Sequence, residues 1–429
     1  MGLRVGCLAS GRHLRYDCRL SSGDFPLQPE QSGRGERLDY IDSLRGFALF
    51  GVFGANLFIF SGLSYMSDAQ KAALPTAAID RTVRFLELIF VETKFMGLFA
   101  LLFGVSFWLF LSSVRARGLE GTALFYRRIF WLFVFGSIHG WLLWAFDILQ
   151  FYALWAILLP LFLRVSLRAL FACALAFAIV APALVSGIRS VTFWGHLVDP
   201  ATARAAALHG FASPHYGQML RANYLYNWYL TLSFSQIGYQ VAVFGRLLFG
   251  LFLARAGVMM DLPRYRRVFV WTLICGGAYG LVANYFDASG MLDPPHGSGF
   301  AWPFTARLIE ESGYLSLSLA YASALGLLFQ APWGRWVREL RSLGRMALTF
   351  YLGQTLFGLW LFYGFMPGPH LFAKIGAVWL VPVWFGGYAL QVAIADWWLK
   401  HFRFGPAEWL WRCLTYWKLQ TFRMPAYAS

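Results

Sequence analysis

Long apolar stretches separated by short polar segments dominate the pattern of residues along this chain. A transmembrane helix needs about 20 consecutive, mostly apolar residues. Ten stretches come close to or exceed this length, so we predict an all-α fold: a polytopic bundle of about ten membrane-spanning helices. We place the spans at 44–63, 86–111, 126–146, 148–163, 167–188, 237–256, 268–286, 313–330, 343–365 and 373–398.

Composition and charge support a membrane protein. Hydrophobic residues make up 59% of the 429-residue chain and charged residues only 13%, whereas about a quarter of the residues in a soluble domain are charged. The formal net charge is +15, and the basic residues concentrate in every second predicted loop and after the tenth span. This alternation follows the positive-inside rule. It predicts that both termini are cytoplasmic and that the protein is located in the bacterial inner membrane, in contact with membrane lipids. It also argues against a nucleic-acid partner.

Three regions lie outside the predicted spans. Residues 1–36, before the membrane domain 37–399, are rich in Arg, Gly and Ser and lack the apolar core of a signal peptide, which predicts a disordered cytoplasmic extension. The external loop 189–235 is long, and long loops often bind ligands, so we predict that it forms a lid over the outer face. Its histidines match no familiar zinc spacing, so we expect no metal site. In the tail 400–429, residues from Pro406 onward predict a cytoplasmic amphipathic helix in the headgroup layer.

Arg246 is the most unusual residue inside the predicted spans. It lies near the middle of IGYQVAVFGRLLFGLFLARAG, a stretch long enough to cross a bilayer. An arginine at that depth costs at least about 2.5 kcal/mol and usually faces a partner or a water-filled cavity. We therefore expect Arg246 to bind a substrate, or to have a partner in a polar pocket between spans one, three, six and nine.

Span one carries two further candidates, Arg45 and Asn56, in RLDYIDSLRGFALFGVFGAN. Their spacing brings them within about 20° of the same helix face. Glycines between them let another helix or a ligand approach closely. Arg45 is expected either to bind an anionic donor or to anchor the helix as a partner of Asp42. Asn56 is expected either to assist catalysis or to form an interhelical hydrogen bond.

His139 and Asp147 are the candidate catalytic pair. His139 lies in the apolar segment FVFGSIHGWLLWAF, and Asp147 follows where spans three and four turn sharply. A neutral histidine can act as a general base, although a buried histidine bonded to a backbone carbonyl is the alternative. Asp147 is positioned to cap the next helix, with Gln150 at the capping-box spacing. A carboxylate within hydrogen-bond reach would also orient the imidazole of His139.

Two more polar residues lie in the predicted spans and are candidate binding residues. Lys94 enters span two from the outer side, where its side chain would otherwise extend outward to the water. Gln354 lies near mid-membrane on span nine.

Several segments together resemble a known family. They are RLDYIDSLRGFALFGVFGAN, LFALLFG, GSIHGWLLWAFDILQFYALW, LGRMALTFYLGQTL and FGPAEWLWRCLTY. Their order and the closing motif resemble the YeiB-like bacterial membrane proteins, a domain-of-unknown-function family, from about Arg37 to Arg423.

A more distant similarity connects the chain to membrane-bound acyltransferases that modify envelope sugars and to the heparan acetyltransferase relatives. These proteins also carry an arginine-glycine pair, as at Arg45, on their first conserved helix. In the former group a histidine follows the arginine after ten intervening residues, and here that position is Asn56. Acyl transfer would therefore require His139 to supply the base from another helix.

The sequence leaves two classes of function open. In the first, acetyl-CoA or another acyl-CoA binds at Arg45 on the cytoplasmic side, and His139 deprotonates the hydroxyl of a glycan or lipid acceptor while Asn56 or Arg246 stabilises negative charge. In the second, the protein transports a small anionic metabolite, with Arg246 as the midplane charge and His139 as a proton relay.

Overall fold

The regular secondary structure in the described part of the chain is helical apart from one isolated β-bridge between Phe402 and Arg423. This confirms the predicted all-α fold. The structure is a computed structural model. It describes residues 31–118, 120–192, 199–232, 234–295, 297–332 and 334–424, with side chains from residue 39 onward except at 231–235.

The helices follow one another with short connections. Three π-helical segments, His139–Leu143, Ala176–Val180 and Thr272–Gly276, and two 3-10 turns, Leu159–Phe162 and Ala377–Trp379, interrupt or extend them. The α-helices are α1 (Gln31–Phe60), α2 (Asp68–Ala72), α3 (Ala77–Phe90), α4 (Lys94–Arg115), α5 (Gly121–Ile138), α6 (Leu149–Ala156), α7 (Leu167–Leu175), α8 (Ala181–Val191), α9 (Pro200–Ala212), α10 (Tyr216–Leu232), α11 (Phe234–Arg255), α12 (Arg266–Trp271), α13 (Gly277–Ala288), α14 (Ala301–Gln330), α15 (Arg335–Arg345), α16 (Ala347–Phe362), α17 (Leu380–His401) and α18 (Pro406–Tyr416).

Seven helical segments within the described residues are long and apolar enough to cross a membrane, which makes this a multi-pass membrane protein. The other three predicted spans also coincide with helices, but these are shorter or interrupted: α5 with its π-helical extension, α6 with the following 3-10 turn, and α16. The count of ten spans and the orientation of the termini remain predictions. The seven segments are Asp39–Phe60, Ala77–Arg115, Leu167–Val191, Gln236–Arg255, Arg266–Ala288, Ala301–Gln330 and Ala377–His401.

The regions predicted as external loops contain much more helix than expected. Residues 189–235 include α9 and α10, and α14 begins at Ala301 although the predicted span began at residue 313. The charged residues near the start of α14 interrupt the apolar pattern, so the predicted span began too late. Within the helix, Arg307 forms an ion pair with Glu310 at 2.9 Å and with Glu311 at 2.7 Å, and such pairs three and four residues apart stabilise a helix.

Most of the predicted N-terminal extension lies outside the described residues. The first helix already begins at Gln31, inside the segment 1–36 that we expected to be disordered.

Close approach of α1 to α15 depends on glycine. A Cβ at Gly46 would lie 2.2 Å from the carbonyl oxygen of Leu340, and one at Gly344 would lie 1.8 Å from that of Asp42. The backbones therefore meet where any larger residue would separate them. This confirms the expected helix approach beside Arg45.

The C-terminal helix α18 packs on the bundle through specific polar contacts. Glu408 Oε1 accepts hydrogen bonds from the backbone N–H groups of Leu348, at 2.6 Å, and Thr349, at 3.0 Å. These groups belong to the first turn of α16, which has no intrahelical acceptor for them. The indole N–H of Trp411 donates to the carbonyl oxygen of Arg128 at 2.9 Å. Thus α18 closes one end of α16 in addition to presenting an amphipathic face.

Candidate functional site

Arg246 has a partner from a helix that we did not expect. Its Nη2 lies 2.7 Å from Oε2 of Glu311, and each residue is 1% exposed. The second oxygen of Glu311 lies 2.7 Å from Nη2 of Arg307. The pair joins α11 to α14. Arg246 therefore does not face the pocket that we predicted between spans one, three, six and nine. The prediction missed this partner because it assigned Glu311 to an external loop, whereas Glu311 belongs to a helix.

The turn that carries His139 is a π-helix, His139–Leu143, at the end of α5. A wider turn leaves backbone carbonyls without their usual α-helical partners. The buried side chains of Asn223 and Asn227 on α10 fill this need: both donate to the carbonyl oxygen of Gly140, at 2.9 and 2.6 Å, and Asn223 also donates to that of Trp141 at 3.0 Å. The external segment predicted as a lid therefore contributes a helix that holds the His139 turn in place.

His139 and Asp147 meet in the protein interior. The Nδ1 atom of His139 lies 2.7 Å from Oδ2 of Asp147, and the two residues are 2% and 1% exposed. The other carboxylate oxygen, Oδ1, accepts the backbone N–H of Gln150 at 2.7 Å. Asp147 thus accepts a backbone N–H of the first turn of α6 with one oxygen and contacts His139 with the other. The expected contact with His139 is met, whereas the N-cap position of α6 is Ile148 and not Asp147, so the predicted capping box does not form.

Two residues on α16 complete this buried cluster, and the sequence did not identify either of them. The hydroxyl of Thr355 lies 2.9 Å from Nε2 of His139. The Tyr351 hydroxyl donates to Asp147 Oδ2 at 3.3 Å and accepts the backbone N–H of Ile148 at 3.2 Å. Their spacing of four residues places them on one helix face. Threonine and tyrosine in an apolar span carry no charge, so little in the sequence distinguishes them from packing residues.

The cluster therefore consists of His139, Asp147, Thr355 and Tyr351, and we call it the histidine cluster. An ionised carboxylate can only accept hydrogen bonds. Nδ1 of a neutral His139 must then carry the proton, which leaves Nε2 free to accept one. A histidine oriented in this way by a carboxylate is suited to act as a general base.

The remaining candidates lie around this cluster or apart from it. Gln354, next to Thr355, donates to the Oε1 atom of Gln391 at 2.8 Å. Asn56 is buried on α1, a helix that meets α16 where Phe60 lies against Gly358. Among the described residues, however, the hydrogen bonds of His139 and Asp147 do not include Asn56.

Lys94 is buried, not extended outward. It is 1% exposed, its ammonium donates to the carbonyl oxygen of Leu88, and Nζ lies 4.9 Å from the centre of the Tyr314 ring. The cause is a sharp break between α3 and α4, where Thr93 has φ +68° and turns the start of α4 into the bundle. The expectation that Lys94 extends to the water is therefore wrong.

A cavity of about 350 Å³ opens beside the histidine cluster. Small-molecule sites typically measure about 300–1,000 Å³. Tyr351 lines this cavity, which we call the arginine cavity, and its hydroxyl contacts Asp147. The polar lining is strongly basic, and it combines side chains of α1, α4, α5, α15, α16, α18 and the segment between α17 and α18: Asp42, Arg45, Ser106, Arg128, Arg345, Tyr351, Arg403, Glu408 and Arg412.

The two carboxylates of the cavity already have partners. Arg45 forms an ion pair with Asp42 and also donates to Ser106 Oγ at 3.0 Å. Glu408 caps α16. In the part of the chain that the structure describes, the other four arginines have no carboxylate within salt-bridge distance. The cavity therefore carries an excess of positive charge: Arg128, Arg345, Arg403 and Arg412.

Arg412 illustrates the consequence of this excess. Desolvation lowers the pKa of Arg412 below its usual value, and the positive charges of Arg117 and Arg345 lower it further. A bound anion would relieve both effects, because it would supply the missing counter-charge. Planar guanidinium groups bind phosphate and carboxylate oxygens well. The arginine cavity is thus suited to a phosphate-bearing or otherwise anionic ligand.

The fit of α5 against the Asp147 turn gives a first prediction. A Cβ at Gly136 would lie 2.3 Å from the backbone nitrogen of Gln150 and 2.8 Å from Asp147 Oδ1. Overpacking of this kind costs about 1–3 kcal/mol, so Gly136→Ala should lower the thermal unfolding temperature in detergent. The control is Gly353→Ala, because nothing lies within 4 Å of a Cβ there. Equal stability of the two variants would contradict this close contact.

Comparisons with known proteins agree on one family. The model of a family described as "Protein of unknown function (DUF418)" matches residues 253–418. The chain is 31% identical to Uncharacterized protein YeiB of Escherichia coli, covering 89% of this chain and 96% of that protein. It is 26% identical to Uncharacterized protein YxaH of Bacillus subtilis, covering 91% and 96%. It is also 30% identical to a 39.9 kDa protein of Bacillus acidopullulyticus, covering 89% and 94%. No solved structure matches the chain.

Proposed function

This chain belongs to the DUF418 family of YeiB-like membrane proteins, and we propose that it is an acyltransferase of the bacterial inner membrane. It takes an acyl group from a phosphate-bearing donor, acetyl-CoA or another acyl-CoA, and transfers it to a hydroxyl group of an envelope glycan or lipid. The proposal combines the predicted orientation of the spans with the chemistry of the arginine cavity and the histidine cluster.

One observation carries the proposal: Tyr351 belongs both to the arginine cavity and to the histidine cluster. The residue lines the cavity, and its hydroxyl lies 3.3 Å from the carboxylate that orients His139. A ligand that fills the cavity therefore approaches a general base within the protein. Without this connection, the cavity and the base would be two unrelated features.

The donor end of the reaction follows from the charge of the cavity. Acyl-CoA carries phosphates next to its thioester arm, and the unpaired arginines would bind these phosphates while the arm extends along α16. Arg403 and Arg412 follow the last predicted span, on the side that the positive-inside rule assigns to the cytoplasm. That is the compartment in which acyl-CoA is available.

The acceptor end follows from the position of His139. Its turn is held by α10, part of the segment predicted to lie on the outer face. A hydroxyl that enters from this side would lose its proton to Nε2 as it attacks the acyl carbonyl. Such proton transfer contributes about 10²–10⁴-fold to a rate. Asp147 would stabilise the imidazolium formed in this step.

The transport alternative has less support. It relied on Arg246 as the midplane charge that meets the anion, with His139 as a proton relay. The ion pair with Glu311 accounts for Arg246 without a ligand, because a buried charge usually has a partner of the opposite sign.

The test compares envelope glycans and lipids by mass spectrometry in a wild-type strain, a deletion strain and complemented strains. We expect the deletion to remove an acyl group from one class of molecule and the wild-type gene to restore it. Asp147→Asn should restore it at least about 10²-fold less well, because its amide cannot stabilise an imidazolium as a carboxylate does. Asp293→Asn, in an exposed turn, is the control and should restore it fully. Identical glycan and lipid profiles with and without the gene would contradict the proposal.

A further inference from the structure

Thr355 lacks the short backbone hydrogen bond that several other hydroxyl residues in the described helices make. A helical serine or threonine commonly donates its hydroxyl to the carbonyl oxygen four residues earlier. For Thr355 the corresponding distance, to Tyr351, is 3.5 Å, beyond the usual range for such a bond. Five other hydroxyls in the described helices make this bond at 2.6–2.8 Å: Ser106, Thr305, Ser312, Ser318 and Thr415.

The Thr355 hydroxyl is directed at His139 instead. Its Oγ1 lies 2.9 Å from Nε2, and Nδ1 on the other side of the ring lies 2.7 Å from Asp147. Since Asp147 fixes the proton on Nδ1, Nε2 accepts and Thr355 donates. A hydroxyl, an imidazole and a carboxylate bonded in this order form the arrangement that activates an oxygen nucleophile.

From this geometry, and on the basis of the proposed acyl transfer, we infer that Thr355 is the nucleophile that carries the acyl group between donor and acceptor. Tyr351, one turn earlier on the same face of α16, lines the arginine cavity. An acyl group that enters through the cavity along α16 therefore passes Tyr351 and reaches Thr355.

The first half-reaction acylates Thr355. Nε2 of His139 takes the hydroxyl proton as Oγ1 attacks the carbonyl carbon of the thioester. The carbon–sulfur bond breaks, the CoA thiolate takes the proton from the imidazolium, and an ester remains on Thr355.

In the second half-reaction, the acceptor hydroxyl gives its proton to Nε2 and its oxygen attacks this ester. The bond from the carbonyl carbon to Oγ1 breaks, and Oγ1 recovers the proton. No oxidant or further reactant is needed.

The test uses the purified full-length protein in detergent with acetyl-CoA and radiolabelled CoA, in the absence of any acceptor. A covalent relay transfers the label into acetyl-CoA, because the first half-reaction is reversible without the acceptor. We expect this exchange in the wild type and in Thr355→Ser, which keeps the hydroxyl. Thr355→Val, which keeps the shape, should lose at least about 10²-fold in exchange rate. Thr305→Val on α14 is the matched control and should exchange like the wild type.

Mass spectrometry of the acid-quenched protein after digestion supplies a second readout. The wild type should carry an acetyl group on the peptide that contains Thr355, and Thr355→Val should carry none there. Undiminished exchange in Thr355→Val, or wild-type protein that neither exchanges label nor becomes acetylated, would overturn the covalent relay. Either of these results would leave open whether the gene restores the acyl group in the deletion strain. The proposed function is therefore tested separately, by the envelope profiles.

Discussion

Replacing Arg246 with methionine should destabilise the folded protein by about 3–5 kcal/mol, because removing one member of a buried ion pair leaves the other charge without compensation. Glu311 would remain 1% exposed with one oxygen no longer paired. Its other oxygen keeps the contact with Arg307, so we expect the lower end of this range. Unfolding of the purified protein, followed by thermal aggregation or denaturant titration in detergent, measures the effect.

A second substitution separates the loss of pairing from the loss of packing. Arg246→Met combined with Glu311→Gln removes both charges, so it should be more stable than Arg246→Met alone. Arg266→Met, at the exposed start of α12, is the control for loss of an arginine from the surface and should stay within about 0.5 kcal/mol of the wild type. If the single and double variants lose the same stability, the loss comes from packing at position 246 and not from the uncompensated charge of Glu311. A fully stable Arg246→Met would contradict the structural role and renew the case for a ligand at Arg246.

The pair also shows where sequence reasoning stops. The depth of Arg246 could be read from the hydropathy of its own helix, and the need for a partner follows from the cost of a buried charge. The partner could not be identified, because Glu311 is 65 positions away and lies beside other charged residues that interrupt the apolar pattern. Hydropathy averaged over a window assigns such a segment to a loop. Only the folded arrangement, in which α4 and α8 each pack against both α11 and α14, shows that this carboxylate faces inward toward Arg246.

In the histidine cluster, too, contacts between residues near in sequence could be predicted, whereas contacts between distant residues could not. His139 and Asp147 are eight residues apart, so a sharp turn between two apolar segments was enough to suggest that they meet. Thr355 is 216 residues from His139, and an uncharged hydroxyl in an apolar helix looks like any packing residue. The arginine cavity was visible only as basic loops, since the positive-inside rule gives a side of the membrane and not a shared cavity.

The largest effect on activity is expected from His139→Gln, which should reduce acyl transfer by about 10²–10⁴-fold, the usual contribution of a general base. Glutamine fills a similar volume and keeps groups that can hydrogen-bond to Asp147 and Thr355, but it does not accept a proton at neutral pH. The measurement is restoration of the envelope acyl group in the deletion strain, together with the rate of CoA exchange by the purified protein. Thermal unfolding of the same sample shows whether the variant is folded.

Two comparisons make the role of His139 specific. His209→Gln changes an exposed histidine on α9 and should leave both activities unchanged. His139→Gly removes the ring and leaves space beside Asp147, so added imidazole should restore part of the exchange activity if the ring acts as the base. A folded His139→Gln protein with wild-type activity would show that Asp147 and Thr355 hold this histidine for structural reasons alone. Loss of activity without imidazole rescue would instead point to a role for His139 in positioning α16, because a diffusing ring can replace a base but not a tether between helices.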